Sequence, residues 1–150
     1  MSLKIRWKVP KPSDRPGFQL WRTHNLWQRR IKQVLLPFKL THVQYILLEG
    51  ISWISKQKED VVTQAKLADT LEIDVMMTSV VSRSLLEKGL VDRLPHPKDT
   101  RAHQLILTDK GASLLKDAVR AIDSFENGFF DTISTDVFQQ KLNAILESSE

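Results

Sequence analysis

The feature that most constrains this chain is a pair of short helices separated by only a few residues, within residues 63–88. Thr63 and Asp74 each stand where an N-cap is expected, directly before an apolar pattern of helical spacing. Gly89 follows the second helix at the position that favours a left-handed backbone, and Leu90 supplies the apolar contact beyond it. Two capped helices with so short a turn predict a helix-turn-helix.

A charged hairpin follows this helix pair. LVDRLP (90–95) and HQLILT (103–108) predict two strands, and the loop between them carries His96, Pro97, Lys98, Asp99 and Arg101. A charged hairpin alone is usually only a solvated turn, but one placed directly after a helix-turn-helix is typical of a wing. The narrow minor groove of DNA attracts inserted Arg side chains, and Asp99 is placed to orient Arg101.

Amphipathic patterns predict further helices on both sides of this unit. One runs from Phe18 and ends before Pro37, and another begins at Thr41, where Gln44 completes a capping box. A long helix follows Thr108. A last helix starts at Ser134 or Thr135 and carries apolar residues along one face: Val137, Phe138, Leu142, Ile145 and Leu146. The expected order is α-α-α-α-β-β-α-α.

Composition narrows the class of protein. The 150 residues, 41% hydrophobic and 27% charged, suit one soluble globular domain, and no apolar run is long enough for a membrane span. Zero cysteines exclude disulfides, thiolate metal sites and thiol catalysis. Residues 1–59 hold 12 Lys and Arg against 3 Asp and Glu, a bias that suits nucleic acid, an anionic membrane or an acidic partner. A cytoplasmic protein is expected.

The helix from Asp74 to Lys88 is the candidate for reading DNA. A helical wheel predicts that one side suits a core, with Met77, Val80, Val81, Ser84 and Leu85. The opposite side is predicted to face DNA, because small hydroxyl side chains and an Arg can reach phosphates and base edges. The residues predicted to contact DNA, with the wing included, are Met76, Thr78, Ser79, Ser82, Arg83, Lys98, Asp99 and Arg101.

The chain resembles the MarR (multiple antibiotic resistance regulator) family of bacterial winged-helix repressors over residues 18–147. The most specific part is KGLVDRLPHPKDTRAHQLILTDKG, with Asp99 and Arg101 at the wing tip. The resemblance implies a mainly α fold with a small β-hairpin wing, in a single domain at 18–150. A winged helix-turn-helix at about 41–108 would lie between dimerisation helices at 18–36 and 109–148, after a basic, Pro-rich arm at 1–17.

The resemblance also implies a homodimer on a pseudo-palindromic operator in double-stranded DNA. Its recognition helices would enter adjacent major grooves, and its wings the flanking minor groove. Family members often lose DNA affinity on binding small aromatic or anionic ligands, so a repressor released by such an effector is expected. The resemblance places the first two helices beside the cleft that would hold it. The predicted pocket residues are Trp21, His24, Trp27, Tyr45 and Trp53, although packing in the core or the dimer interface is the favoured role for any single Trp.

Other function classes have less support. The four His are too scattered for a metal motif, no cofactor is expected, and no catalytic constellation or phosphate-binding Gly loop is present. An enzyme is therefore not predicted. The alternative from another class is a winged-helix module for protein–protein assembly without sequence-specific DNA binding. Arg83, Lys98 and Arg101 argue against it because they place positive charge on the reading surface.

Overall fold

The computed structural model describes residues 9–57 and 61–148 of the chain. Over these residues the predicted element order is confirmed, with short 3-10 turns added at Pro12–Asp14 and Leu36–Phe38. The elements are α1 (Pro16–Leu35), α2 (His42–Ser55), α3 (Gln64–Leu71), α4 (Val75–Glu87), β1 (Val91–Pro95), β2 (His103–Leu107), α5 (Asp109–Phe129) and α6 (Thr135–Glu147).

Helix α1 begins inside the segment predicted as a basic, Pro-rich arm at 1–17. Residues 1–8 of that segment lie outside the described residues, and Pro12–Asp14 forms a 3-10 turn. Helix α1 begins at Pro16, two residues before the predicted start at Phe18, because proline at the first helical position brings a preset backbone angle and loses no hydrogen bond there.

Side-chain caps fix the helix starts where the sequence predicts them. Thr41 accepts a hydrogen bond from the Gln44 backbone N–H, and the Gln44 side chain accepts one from the Thr41 backbone N–H, which completes the capping box. Thr63, Asp74 and Thr108 each accept from the backbone N–H three residues further on. Each such cap contributes about 1 kcal/mol, so together they determine where α2 to α5 begin.

The core lies where α2, α3 and α4 meet the hairpin and the middle of α5. Its least exposed members are Leu35, Leu47, Leu48, Ile54, Leu67, Leu85 and Ala118. Gly89 has φ +66, as its predicted left-handed position requires. A Cβ atom at Gly111 would overlap the backbone carbonyl of Leu90, so glycine lets α5 pack directly on the chain entering the wing. These contacts hold the wing and α4 in one lobe.

Helices α1 and α6 contrast with that lobe. None of the residues from Thr135 to Glu147, all of them described, is buried. Leu146 on α6 is 63% exposed, and Leu20 and Trp21 on α1 are 57% and 60% exposed. These two helices therefore present apolar surface that the chain itself does not cover.

Candidate nucleic-acid interface

The inner face of α4 is formed by Thr78, Ser82 and Leu85, each of which is 0% exposed. The prediction that Thr78 and Ser82 lie on the outer, DNA-facing side is therefore wrong. Their four-residue spacing puts them on one helical stripe, and their small side chains let α4 pack closely into the lobe. The Thr78 hydroxyl donates to the Asp74 carbonyl at 3.0 Å, which satisfies it inside the fold, whereas Ser82 Oγ is buried without a hydrogen-bond partner.

The outer face of α4 is more apolar than predicted. Met76 is 75% exposed, Val80 is 61% exposed and Met77 is 48% exposed, so the prediction that Met77 and Val80 lie in the core is also wrong. Met76, Val80 and Arg83 share the side opposite Thr78 and Ser82, since residues three and four apart are neighbours on a helix. Ser79 is half-buried beside this face. The side of α4 that could contact DNA bases therefore carries two apolar side chains, Met76 and Val80, and the guanidinium of Arg83.

The wing presents charge instead. The strands pair antiparallel with Val91 opposite Leu107 and Pro95 opposite His103, which leaves the expected seven-residue loop at 96–102. Asp99 Oδ1 accepts from the Arg101 backbone N–H at 3.0 Å and lies 3.6 Å from Arg101 Nε. The pairing expected between these residues is present, and the Arg101 side chain is 92% exposed at the tip.

His96 organises the wing loop, a role that the sequence did not reveal. Its Nδ1 accepts from the backbone N–H groups of Lys98 and Asp99, at 3.1 and 3.0 Å. The backbone of His96 also donates to the Ala102 carbonyl, which closes the loop. Loop residues are not aligned by strand pairing, so these contacts keep Lys98 and Arg101 on one projecting turn.

A basic cleft of about 230 Å³ lies between the wing and the first turn of α3. Arg93 and Arg101 line it, together with His103, which contacts an Arg93 guanidinium nitrogen at 2.9 Å. Thr63 and Gln64 at the start of α3 form the other wall, where the N-terminal end of the helix dipole favours an anion. Arg93 and His103 were not predicted as DNA-contacting residues; Arg93 lies two residues after the buried Val91, on the same face of β1.

A polar network ties α4 to the α1–α2 turn. The Gln44 amide donates to Ser84 Oγ at 2.9 Å, and Lys88 Nζ donates to Gln44 Oε1 at 2.9 Å and to the Lys39 carbonyl at 2.7 Å. Lys39 has a positive φ of 54, a backbone state that non-glycine residues seldom adopt. The network therefore holds the end of α4 against the α1–α2 turn.

The five predicted effector-pocket residues do not form one pocket. His24 and Trp27 lie together, with ring centroids 6.4 Å apart, because three residues on a helix return to the same face. Trp21 lines a separate depression on α1, and Trp53 is 56% exposed at the end of α2. Tyr45 is buried, and its hydroxyl donates to Glu49 at 3.0 Å. The predicted grouping of these five residues in one ligand pocket is not seen, since Trp21, Tyr45 and Trp53 do not line the cavity that His24 and Trp27 share.

Two cavities of opposite charge adjoin α1. The aromatic cavity, about 240 Å³, lies between α1, α5 and α6 and is lined by Leu20, Thr23, His24, Trp27, Glu126, Phe129, Phe130, Phe138 and Leu142. The basic cavity, about 500 Å³, lies at the α1–α2 turn and is lined by Gln28, Arg29, Lys32, Leu36, Lys39, Leu40, Thr41 and His42. The first has a carboxyl group among aromatic rings, and the second has three cations.

Burial changes the ionisation of groups around Trp27. Burial raises the pKa of the Glu126 carboxyl; the Trp27 indole opposes that shift, and the charges of Glu49 and Asp123 add to it. Trp27 Nε1 is itself buried with no hydrogen bond of good geometry. Burial lowers the pKa of His42, and the charge of His24 lowers it further. The His42 ring packs edge-on against Trp27, with ring centroids 4.9 Å apart.

Over residues 9–57 and 61–148, no three His, Asp or Glu side chains come together as metal ligands would. Within the same part of the chain, no helix has both the length and the apolar character that crossing a bilayer would need.

A helix-turn-helix followed by a charged hairpin defines the winged-helix class of DNA-binding fold, and comparison with known proteins identifies the family. The MarR family model matches residues 40–103. The chain is 37% identical over 123 residues to the uncharacterised HTH-type transcriptional regulator YdcH of Bacillus subtilis, covering 82% of this chain and 83% of that one. The chain belongs to the MarR family of transcriptional regulators, and the prediction of a regulator rather than an enzyme is confirmed.

Solved structures agree with this assignment. CouR from Rhodococcus jostii RHA1 bound to p-coumaroyl-CoA is 26% identical, with a TM-score of 0.77 over 91% of this chain and 93% of that one. The repressor CouR bound to a 23-mer DNA duplex superposes with a TM-score of 0.79 at 23% identity, over 97% and 99% of the two chains. These matches confirm the predicted fold: mainly α, with a β-hairpin wing.

Proposed function

We propose that this regulator is a homodimer that binds a pseudo-palindromic operator through α4 and the wing, and that a small molecule releases it. The observation that carries the proposal is the placement of Arg83 on α4 and Arg101 at the wing tip, both exposed on one lobe. A helix of this width fits the major groove, and an exposed Arg on a hairpin fits the minor groove. CouR, a structural relative, is a repressor that has been solved on a DNA duplex.

Contacts to the DNA backbone are proposed at the wing and the basic cleft. Lys98 and Arg101 are exposed at the tip, and Arg93 with His103 lines the cleft beside the start of α3. Phosphate contacts position a protein on DNA without reading its sequence. Base contacts are proposed for Met76, Ser79 and Arg83, with Val80 added because its side chain is exposed on the same face of α4.

The binding proposal is tested by fluorescence anisotropy with DNA from upstream of the protein's own gene. We expect that DNA to be bound at least ten-fold more tightly than a scrambled duplex of equal composition. A protein that binds both duplexes equally, at any salt concentration, would contradict sequence-specific binding and favour the assembly-module alternative.

The homodimer is proposed from the uncovered apolar surface of α1 and α6. Leu20, Trp21 and Leu146 are each more than half exposed, and α6 contributes nothing to the core. A second copy offers the same surface, so a two-fold interface would cover both sets at once. The family's two-fold operators also require two recognition helices about one DNA turn apart, roughly 34–36 Å.

Sedimentation equilibrium at micromolar concentration tests this interface. The wild type is expected to sediment as a dimer, and Leu146→Glu to shift it toward monomer because a carboxylate would be buried in an apolar contact. Gln140→Glu is the matched control, since Gln140 is exposed on the other side of α6. A well-folded wild-type monomer, or equal effects of the two variants, would contradict the proposed interface.

We propose that the aromatic cavity is where a small effector binds. Trp27, Phe129 and Phe130 offer ring faces, with Phe129 and Phe130 packed edge to face at 4.9 Å. The Glu126 carboxyl accepts hydrogen bonds, so an aromatic ligand with an amine or other donor suits the cavity better than an aromatic acid. A ligand that prefers the non-binding arrangement of the dimer lowers DNA affinity by its differential affinity for the two states.

Quenching of tryptophan fluorescence tests the effector site, using benzylamine and benzoate as a matched pair. We expect the amine to quench and to weaken DNA binding, and Glu126→Gln to remove its advantage over the acid. Because burial raises the pKa of Glu126, amine binding should weaken as pH falls and the carboxyl takes up a proton. Equal binding of amine and acid, or stronger binding of benzoate, would contradict the assignment to this cavity.

A further inference from the structure

The outer face of α4 leaves large apolar side chains in water. Met76 and Val80 lie four residues apart on one stripe and are 75% and 61% exposed, although α4 could have placed hydroxyl groups there. Instead the Thr78 and Ser82 side chains are buried, and the apolar side chains of Met76 and Val80 face outward. An exposed apolar stripe on the element that should enter DNA requires an apolar partner in the groove.

The major groove of DNA offers one apolar group, the C5-methyl of thymine. The other groups by which the major groove distinguishes base pairs are hydrogen-bond donors and acceptors, which the Met76 and Val80 side chains cannot satisfy. Arg83, three residues after Val80 on the same face, has the bidentate geometry that suits guanine O6 and N7. The stripe therefore matches a short run of thymines next to a guanine.

We infer that Met76 and Val80 read thymine methyl groups in each half-site of the operator, beside a guanine contacted by Arg83. This inference rests on the proposed DNA-binding function and adds the chemical group that is recognised. Double-stranded DNA is favoured over a protein as the occupant of the stripe because the stripe shares its lobe with Arg83, Arg93 and Arg101. The basic cleft and the wing flank it with charge complementary to phosphate.

The test replaces thymine by deoxyuridine, which lacks only the methyl group. An operator duplex is first selected with the wild-type protein from random DNA, and each thymine of a half-site is then replaced in turn. Removing one contacted methyl should raise Kd about four-fold, the equivalent of roughly 0.8 kcal/mol for one buried methyl group. Thymines in the flanking DNA serve as internal controls and should show no change.

Variants assign the effect to the two side chains. Met76→Ala and Val80→Ala should bind the thymine operator more weakly and show a Kd ratio between uracil and thymine duplexes close to one at the affected base. Leu36→Ala is the matched control: Leu36 is 62% exposed but lies at the α1–α2 turn, so the wild-type ratio should persist. Circular dichroism confirms that each variant is folded.

The outcomes separate this inference from the proposed function. A wild-type protein that prefers its selected operator over scrambled DNA but binds thymine and uracil versions equally would overturn methyl reading alone. A ratio that survives in both alanine variants would overturn the assignment to Met76 and Val80. If selection enriches no sequence at all, the proposed DNA-binding function fails, and this inference fails with it.

Discussion

The recognition helix and the wing project from the same lobe but present opposite chemistry. The outer face of α4 consists of Met76 and Val80 with one Arg, whereas the wing tip carries Lys98 and a 92% exposed Arg101. Contacts to base edges depend on the base that is met, and contacts to phosphate do not. The difference indicates a division of labour in which α4 selects the sequence and the wing holds the protein on DNA.

The two surfaces are also supported differently. Helix α4 is fixed by a buried inner stripe and by the Gln44 network, so its outer side chains are held on a rigid element. The wing loop is held by a few contacts at its tip, including those of His96 Nδ1 and the Asp99 side chain. The DNA affinity contributed by the rigid α4 and that contributed by the charged wing loop should therefore respond differently to mutation, salt and base sequence.

The largest expected effect comes from removing the wing charges. Lys98→Ala with Arg101→Ala should weaken binding to operator and scrambled DNA alike, by about 1–3 kcal/mol for each cation that contacts DNA. The slope of log affinity against log salt should become shallower by about 0.9 for each lost phosphate contact. Lys116→Ala with Arg120→Ala removes the same charge from α5 and is the control. A loss confined to the operator would break the division of labour.

Arg83→Ala should act on sequence preference instead. The loss of bidentate guanine contacts should cost about 1–3 kcal/mol on the operator while leaving scrambled DNA nearly unchanged. Competition binding with the two duplexes measures the ratio. Equal weakening on both would mean that Arg83 contacts phosphate, and α4 would then resemble the wing.

Asp99→Ala should have a smaller effect in the same direction as Arg101→Ala. Asp99 accepts from the Arg101 backbone at 3.0 Å and pairs with an exposed guanidinium, a contact that contributes little by itself. Affinity should fall about two-fold through looser placement of Arg101. Asp92→Ala, an exposed carboxylate on β1, is the control. A loss as large as that of Arg101→Ala would show that the loop depends on Asp99 for its shape.

The smallest effect is expected for Ser82→Ala. Ser82 Oγ is buried without a hydrogen-bond partner, so removing it should leave DNA affinity unchanged and raise the free energy of unfolding by up to about 1 kcal/mol. Ser79→Ala, at a half-buried position beside the outer face of the same helix, should instead alter operator binding. If Ser82→Ala weakened DNA binding without changing stability, the result would support the DNA-facing position of Ser82 that was predicted from the sequence.

Local chemistry was predictable from the sequence. The caps at Thr41, Thr63, Asp74 and Thr108 depend on residues three apart, and the Gly89 turn depends on one backbone angle. None of these features needs knowledge of the tertiary structure. The helix order, the hairpin and its loop followed from them.

The orientation of α4 was not predictable by the same means. Sequence patterns assume that apolar residues face inward, and this assumption fails where a functional surface is itself apolar, as at Met76 and Val80. The predicted grouping of the effector-pocket residues is not seen, for a related reason. Trp21, Trp27 and Trp53 were grouped because the first two helices were expected to lie beside one cleft, but the phases of these helices and the packing of α5 decide which rings share a cavity.

The most direct test of the division of labour is the ratio of operator to scrambled affinity, measured across a salt series for wild type, Arg101→Ala and Val80→Ala. Affinity for both duplexes should fall steeply with salt, while the ratio stays nearly constant in the wild type and in Arg101→Ala. Val80→Ala should lower the ratio at every salt concentration with an unchanged salt slope. A wild-type ratio that disappears as salt rises, or a Val80→Ala ratio equal to that of the wild type, would contradict the account.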